Sequence, residues 1–169
     1  MSIRDFLTPD SAAALEQHLT ERQDWLLVLN AGEKVYEMPL AAYAAMDVEA
    51  KAKMDAMVAD AAREGFQFRF ASIRVPDADA DRAQSGQILD DFARFLSSPE
   101  MVEWFGRITA APDIAFADAQ ATCYRPGDFL TRHDDGIEGK NRRAAYVFGL
   151  THDWPAEWGG LLMFHAPSG

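Results

Sequence analysis

The chain has 169 residues, 49% hydrophobic and 25% charged, a composition that predicts one globular domain and excludes a disordered or collagen-like chain. Sixteen Lys and Arg residues against 27 Asp and Glu residues give a net charge of -11, which disfavours binding to nucleic acid or to an anionic membrane surface. The single Cys123 excludes an internal disulfide, and no apolar run approaches the roughly 20 residues of a membrane span. These features predict a soluble, cytoplasmic domain.

The first part of the chain alternates helix and strand signals. Thr8 before Pro9 predicts a helix start, because a side-chain oxygen caps the helix and proline is accepted at its first position. Apolar residues 25–29 and 35–38, on either side of a turn at 30–33, predict a β-hairpin. The composition of residues 40–63 predicts one long helix, and alternation from residue 67 to 73 predicts a further strand.

The middle of the chain predicts a loop and two helices. Residues 77–82 alternate Asp and Ala before Arg82, which predicts a solvated loop, since a calcium loop needs a glycine and a terminal Glu at other spacings. Helices are predicted over 86–96 and 99–108. The first of these helices carries apolar residues at the spacing of a core-facing helix: Ile88, Leu89, Phe92, Phe95 and Leu96.

The pattern changes after Pro112. Four strand candidates follow one another, at residues 114–124, 129–135, 143–150 and 161–165. A run of helices followed by a run of strands predicts an α+β fold, with helices backing one face of a β-sandwich or barrel.

His133 and Asp135 are the strongest candidates for chemistry. In a strand, residues two apart point to the same face, so these two side chains can converge while Asp134 faces away. An imidazole and a carboxylate are two of the three ligands in the 2-His-1-carboxylate set that holds non-haem Fe(II). Alone, such a pair is a weak signal, because the same spacing arises easily by chance.

The residues around this pair resemble the prolyl-hydroxylase-like branch of the Fe(II)/2-oxoglutarate-dependent dioxygenases. That branch has a tyrosine, a glycine and an aromatic residue before His-x-Asp, then an arginine-led strand, a tryptophan and a Gly-Gly pair. The order and spacing agree over about residues 114–165. The matching residues here are Tyr124, Gly127, Phe129, Arg142, Arg143, Trp154, Gly159 and Gly160.

The resemblance implies a double-stranded β-helix (jelly-roll) fold with N-terminal helices packed on its major sheet. One domain would span residues 1–169, with 1–112 as the supporting region and 113–169 as the first four barrel strands, half of the eight that a jelly roll needs. We therefore expect the polypeptide to continue for about 50 to 80 residues beyond Gly169.

The resemblance also implies a role for individual residues. His133 and Asp135 match two iron ligands, and Tyr124 matches a tyrosine that faces 2-oxoglutarate. Phe148 stands where relatives often place a tyrosine that bonds the co-substrate carboxylate, and Tyr146, on the same face, is a candidate to supply that hydroxyl instead. Leu162 matches an apolar position in the wall of the co-substrate pocket.

The chemistry implied is Fe(II)-dependent oxidation that consumes 2-oxoglutarate and oxygen, releases succinate and hydroxylates a substrate. A prolyl residue of a protein is one candidate substrate, a small molecule is another, and ascorbate is a candidate reductant. The carboxylate of Asp135 favours hydroxylation over halogenation, because halogenating relatives carry a small residue there. The third ligand and the arginine that pairs with 2-oxoglutarate have no match, since His152 and His165 come too early in the strand order.

Other interpretations stay open at this point. Tyr124, Tyr146 and Phe148 also suit the core of a barrel, and Arg142 and Arg143 also suit a solvated sheet edge. The chain is alternatively a non-catalytic metal-binding or regulatory module on the same fold. A cupin-like metal-binding sandwich is less favoured, because cupins usually carry several closely spaced histidines.

Overall fold

A computed structural model describes residues 2–136, 141–151 and 153–163. Six α-helices and five strands lie in these residues, in the order α1 Pro9–Glu21, β1 Leu26–Ala31, β2 Lys34–Pro39, α2 Leu40–Ala45, α3 Val48–Ala61, β3 Phe68–Arg74, α4 Asp79–Ser85, α5 Ile88–Leu96, α6 Pro99–Thr109, β4 Gln120–Cys123 and β5 Phe129–Leu130. A single 3-10 turn, Ala156–Trp158, follows among the described residues. None of the described helices combines the length and the apolar character that crossing a membrane requires.

The strands form one open antiparallel sheet in the order β2-β1-β3-β4. Strand β3 is central: Leu26 to Leu29 pair with it on one side, and both β4 and the short β5 pair with it on the other. The predicted α+β class is therefore confirmed, while the closed jelly roll stays a prediction.

One face of the sheet is covered by helices. Leu27 and Leu29 of β1 pack against Val58 of α3. Ile73 of β3 packs against α5 in a second cluster, whose buried members are Ile73, Val75, Leu89, Ala93 and Ala121. On the opposite face of β3, Phe68 and Phe70 are only half-buried. The sheet thus has a helix-covered face, which includes Ile73, and a second face, with Phe68 and Phe70, that stays open within the described residues.

Several sequence predictions that depend only on neighbouring residues are confirmed. The Thr8 hydroxyl accepts a hydrogen bond from Ser11 N at 3.2 Å and caps α1. Strands β1 and β2 form the predicted hairpin around Gly32, whose φ of 62° is a conformation that glycine adopts without strain. Helices α5 and α6 lie where the 86–96 and 99–108 patterns predict them.

The prediction of one helix over residues 40–63 is wrong. The chain forms α2 and α3 instead, with a break at Met46 and Asp47. Asp47 Oδ1 accepts a hydrogen bond from Ala50 N at 2.7 Å, so this carboxylate starts a new helix rather than continuing the old one. An N-cap satisfies backbone donors that a helix start leaves free, and this explains the break.

The prediction of a solvated loop over residues 77–82 is also wrong. This segment enters α4, and Arg82 is only 2% exposed. The Arg82 guanidinium donates hydrogen bonds to the carbonyl oxygens of Pro76, Ala93 and Ala117 and to the Ser97 hydroxyl. A planar group with five donors can bind several carbonyl oxygens at once, and these hydrogen bonds allow the charge of Arg82 to be buried.

The strand predictions after Pro112 are only partly correct. The 114–124 and 129–135 candidates shrink to β4 and β5. No strand forms in residues 141–151, so the 143–150 candidate is wrong. Residues 161–163 form no strand either, and the last two residues of the 161–165 candidate, Phe164 and His165, lie outside the described residues.

The segment 141–151 makes side-chain contacts instead of a strand ladder. Phe148 packs between Phe6 and Phe92, with ring centroids 5.1 Å from each. Tyr146 stacks on Phe105 of α6 at 6.3 Å. These aromatic side chains therefore pack against aromatic residues of α5, α6 and the N-terminal segment, which explains why the apolar alternation at residues 143–150 gives no strand.

Candidate metal centre

The segment that carries His133 is attached to β3 by Thr131. Thr131 N donates a hydrogen bond to the carbonyl oxygen of Gln67 at 2.9 Å. Gln67 N in turn donates to the Thr131 hydroxyl, also at 2.9 Å. These bonds continue the β3–β5 pairing for one residue beyond Leu130 and fix where the chain leaves the sheet.

The ring of His133 is oriented by its neighbours. Its Nδ1 lies 2.9 Å from the carbonyl oxygen of Thr131, and its ring packs 5.7 Å from the ring of Phe66. A carbonyl oxygen only accepts, so Nδ1 carries the proton and Nε2 of the neutral ring keeps a lone pair. Histidine ligands of metals are usually fixed by such a hydrogen bond through their other nitrogen.

The free nitrogen of His133 faces the carboxylate of Asp135, with Nε2 and Oδ1 3.4 Å apart. Two ligand atoms each about 2.1 Å from one ion lie roughly 3.0 to 3.4 Å apart when the angle between their bonds is about 90 to 110°. The His133 and Asp135 side chains are 29% and 56% exposed, so an ion can reach them. The spacing and the accessibility of this donor pair fit a divalent metal, and the assignment of the two residues as metal ligands stays a prediction.

The neighbouring groups neither complete nor block this pair. Asp134 turns away and accepts a hydrogen bond from Gly136 N at 3.1 Å. Arg142 donates to the backbone oxygen of Asp135 at 3.3 Å and to the Asp118 carboxylate at 3.0 Å, so it holds the backbone of the ligand segment. Within the described part of the chain, no group of three or more His, Cys, Asp or Glu side chains could hold an ion.

A buried ion pair fixes the turn that precedes the ligand segment. Asp128 closes this turn, with its side chain accepting from Arg125 N at 2.8 Å and its own N donating to the Arg125 oxygen at 2.8 Å. The Asp128 carboxylate also pairs with Arg69 of β3, and the two side chains are 2% and 9% exposed. Burial raises the pKa of Asp128 above its usual range, against the opposing effect of the Arg69 charge.

Sequence reasoning missed the roles of Thr131, Arg69 and Asp128. A signal for Arg69 exists, because a charged residue inside the strand of residues 67–73 needs a partner when that face is buried. Nothing in the sequence alone indicates that Asp128, 59 residues further along, is this partner. Thr131 lies two residues before His133, but its bonds to Gln67 depend on the strand register.

Tyr124 lies at one end of a row of aromatic side chains on the open face of the sheet. This aromatic row consists of Tyr124, Phe70, Phe68 and Phe66, with successive ring centroids 5.5, 5.5 and 5.6 Å apart. His133 follows Phe66 at the other end. Tyr124 and His133 therefore share a face of the sheet but occupy opposite ends of the row. Burial raises the pKa of the Tyr124 hydroxyl.

The other residues implied to bind the co-substrate lie elsewhere. Tyr146 donates its hydroxyl to the carbonyl oxygen of Asp118 at 2.7 Å, and its ring is 5.5 Å from that of Phe148. Leu162 is 73% exposed. The structure thus joins His133 to Asp135 beside β3 and β5, and joins Tyr146 to Phe148 against α5 and α6.

The two glycines singled out in the sequence adopt conformations that favour glycine. Gly159 and Gly160 have φ angles of 78° and 65°. Trp154 Nε1 donates to the Gly159 oxygen at 2.8 Å, and a Cβ on Gly160 would meet the Trp154 ring at 3.5 Å. The backbone therefore turns tightly around this tryptophan, at a position where other residues are strained.

Comparisons with known proteins agree with this local picture. Residues 119–169 match the family model of the 2OG-Fe(II) oxygenase superfamily. No curated protein and no solved structure matches the chain significantly. The matched region contains Tyr124, Thr131, His133 and Asp135. The match covers 51 of the 169 residues and supports a likeness of this region to the 2OG-Fe(II) oxygenase superfamily, whose general chemistry is dioxygenase-like oxidation with Fe(II) and 2-oxoglutarate.

Proposed function

We propose that the chain holds Fe(II) through His133 and Asp135 and takes part in 2-oxoglutarate-dependent hydroxylation. The observation that carries this proposal is the 3.4 Å approach of His133 Nε2 to Asp135 Oδ1, with Nδ1 already engaged by Thr131. The ring is thus held with its metal-binding nitrogen toward the carboxylate. When bound, the metal supplies a centre at which 2-oxoglutarate and oxygen react to produce the hydroxylating species.

The protein's own residues prepare this centre. Thr131 selects the tautomer of His133, Arg142 holds the backbone of Asp135, and the pair of Arg69 and Asp128 fixes the preceding turn. The energetic gain is pre-organisation, because ligands already in place lose little conformational freedom when an ion binds.

Binding of 2-oxoglutarate should depend on the metal. The co-substrate is a dianion and the chain carries a net charge of -11, so a bound cation is needed as the main local attraction. The resemblance implies Tyr124, Tyr146, Phe148 and Leu162 as protein contacts of the co-substrate. Tyr124 lies at the opposite end of the aromatic row from His133, and Tyr146 and Phe148 pack against helices, so none of these contacts carries the proposal.

For the substrate, we propose hydroxylation of a prolyl residue in a protein, on the strength of the sequence resemblance and of the intact Asp135 carboxylate. Ascorbate is proposed as the reductant on the same grounds, and the cytoplasm as the location on the grounds of the single cysteine.

A second candidate function is a non-catalytic metal-binding module. It is favoured by the presence of two, not three, converging ligand side chains among the described residues. Such a site should bind a metal weakly and release it readily to a chelator, because a divalent ion held by only two protein ligands exchanges easily.

The two functions are separated by measuring 2-oxoglutarate binding and succinate release on the same preparation. For the enzyme we expect calorimetric binding of 2-oxoglutarate only with Fe(II) or Mn(II), lost in His133→Ala, and slow succinate release with Fe(II) and oxygen. Metal binding without any succinate favours the second candidate. Equally strong 2-oxoglutarate binding without metal contradicts the proposed site.

A further inference from the structure

We propose that two copies of this chain associate through β2, pairing antiparallel to make one continuous sheet across the dimer. The strand β2 ends the sheet, and among the described residues no strand pairs with its outer side. Val35 and Tyr36 on it are 51% and 43% exposed. A sheet edge with free backbone groups is a template for pairing with another strand, and two of the exposed side chains on this one are apolar or aromatic.

The hairpin shows which backbone groups point outward. Ala31 and Lys34 close the two-residue turn at residues 32–33. Residues that close such a turn form a hydrogen-bonded pair, and hydrogen-bonded pairs then alternate along the strand. Lys34, Tyr36 and Met38 therefore bond to β1, whereas the backbone N–H and C=O groups of Val35 and Glu37 point to the free side.

The charges on β2 select one register for self-pairing. When Tyr36 of one copy lies opposite Tyr36 of the other, Val35 of each copy lies opposite Glu37 of the other. Both of these Val35–Glu37 pairs can exchange backbone hydrogen bonds. A shift that centres the pairing on Val35 sets Glu33 against Glu37, and a shift that centres it on Glu37 sets two carboxylates opposite each other. Like charges directly opposite destabilise a sheet, so the register centred on Tyr36 is favoured.

An apolar groove beside the edge favours the same partner. A cavity of about 110 Å³ lies between β1, β2 and α3, and its lining consists of Leu27, Leu29, Tyr36, Met38, Met54 and Met57. Met57 is 55% exposed. In the register centred on Tyr36, the second copy's Tyr36 lies on this same helix-covered face, next to the groove. A second copy therefore supplies both the missing strand and an aromatic side chain for the groove.

The register is tested by cysteine cross-linking in a Cys123→Ala background. Tyr36→Cys places two sulfur atoms directly opposite, at a Cα separation of about 4.5 Å for a non-hydrogen-bonded pair, which a disulfide can span. Val35→Cys is the matched control, because Val35 lies diagonal to its own copy at about 7 to 8 Å or more. Under mild oxidation we expect a disulfide-linked dimer from Tyr36→Cys and little from Val35→Cys.

Association without cross-linking is measured by sedimentation equilibrium at about 0.15 M salt, where repulsion between the two acidic copies is screened. Val35→Pro removes an outward N–H, and Tyr36→Lys sets two cations opposite each other. Each should weaken the dimer by about tenfold or more. Val48→Lys, at a residue 83% exposed on α3, should leave it unchanged.

Several results overturn the proposal. One is a wild-type chain that stays monomeric over the whole concentration range, even if the edge takes up an added extended peptide. The others are a dimer that both edge variants leave intact, and cross-linking that is as efficient through Val35→Cys as through Tyr36→Cys.

Discussion

The carbonyl oxygen of Thr131 lies 2.9 Å from Nδ1 of His133, and this hydrogen bond determines which ring nitrogen faces Asp135. Thr131 is itself held by Gln67, the residue before β3, because its hydroxyl accepts a hydrogen bond from Gln67 N and donates one to the Gln67 oxygen. The candidate metal centre is therefore linked to the sheet through a threonine rather than through the ligands alone.

Replacement of Thr131 by valine should weaken both the fold and the metal centre. Valine keeps the branched shape but leaves Gln67 N without its acceptor, which should lower the free energy of unfolding by about 1 to 2 kcal/mol. Mn(II) affinity should fall several-fold, because the histidine ring is less firmly oriented. Thr122→Val, at an exposed position of β4, is the control and should change neither the urea midpoint nor the Mn(II) affinity appreciably.

Removal of the Asp128 carboxylate should be costly. Asp128→Ala leaves the guanidinium of Arg69 buried without its closest partner, which should lower the free energy of unfolding by roughly 3 kcal/mol. The exposed pair of Asp113 and Arg143 is the comparison, and Asp113→Ala should leave the urea unfolding midpoint nearly unchanged. Equal midpoints for the two variants would show that the buried pair does not hold the turn.

Arg82 should be among the residues that the fold tolerates least. Arg82→Ala removes the shared donor of three carbonyl oxygens and one hydroxyl, and the loss should be about 3 kcal/mol or more in denaturant unfolding. Arg94→Ala removes an arginine that is 41% exposed and paired with Asp79, and its cost should stay below about 1 kcal/mol. A wild-type midpoint for Arg82→Ala contradicts the structural role given to this residue.

The burial of Tyr146 should make the free energy of unfolding fall at alkaline pH. Burial is the main cause that raises the pKa of Tyr146 from 10.0 to about 12. The negative charge of Asp118 adds a smaller increase, and the positive charge of Arg82 opposes it. The unfolded chain thus loses this proton first, so the contribution is complete below pH 10 and declines as the pH rises toward 12. Ultraviolet titration of phenolate should show a late step that is absent in Tyr146→Phe. A Tyr146→Phe titration curve that keeps this step would contradict the assignment.

The elements predicted correctly from the sequence are those with local causes. The cap at Thr8, the turn at Gly32 and the apolar spacing of α5 act within a few residues, so the sequence pattern alone indicates them. The break at Asp47 is also local, but its N-cap signal is weaker than the helical composition on both sides.

The features that sequence reasoning missed depend on distant partners. Arg82 is polar by type, and only its contacts with carbonyl oxygens up to 35 residues away explain its burial. Likewise, the apolar alternation at residues 143–150 predicts a strand, whereas Tyr146 and Phe148 find aromatic partners on helices. For the metal centre, the His-x-Asp spacing predicts the convergence of His133 and Asp135, but not the support from Thr131.

The central claim is that His133 and Asp135 bind one divalent metal. Its most direct test is an electron paramagnetic resonance titration of Mn(II) with the wild-type chain and three alanine variants. We expect one weak site that chelator removes readily, a loss of affinity of about tenfold or more in His133→Ala and in Asp135→Ala, and near wild-type affinity in Asp134→Ala, whose carboxylate faces away. Unchanged Mn(II) binding in the double variant of His133 and Asp135 would contradict the claim.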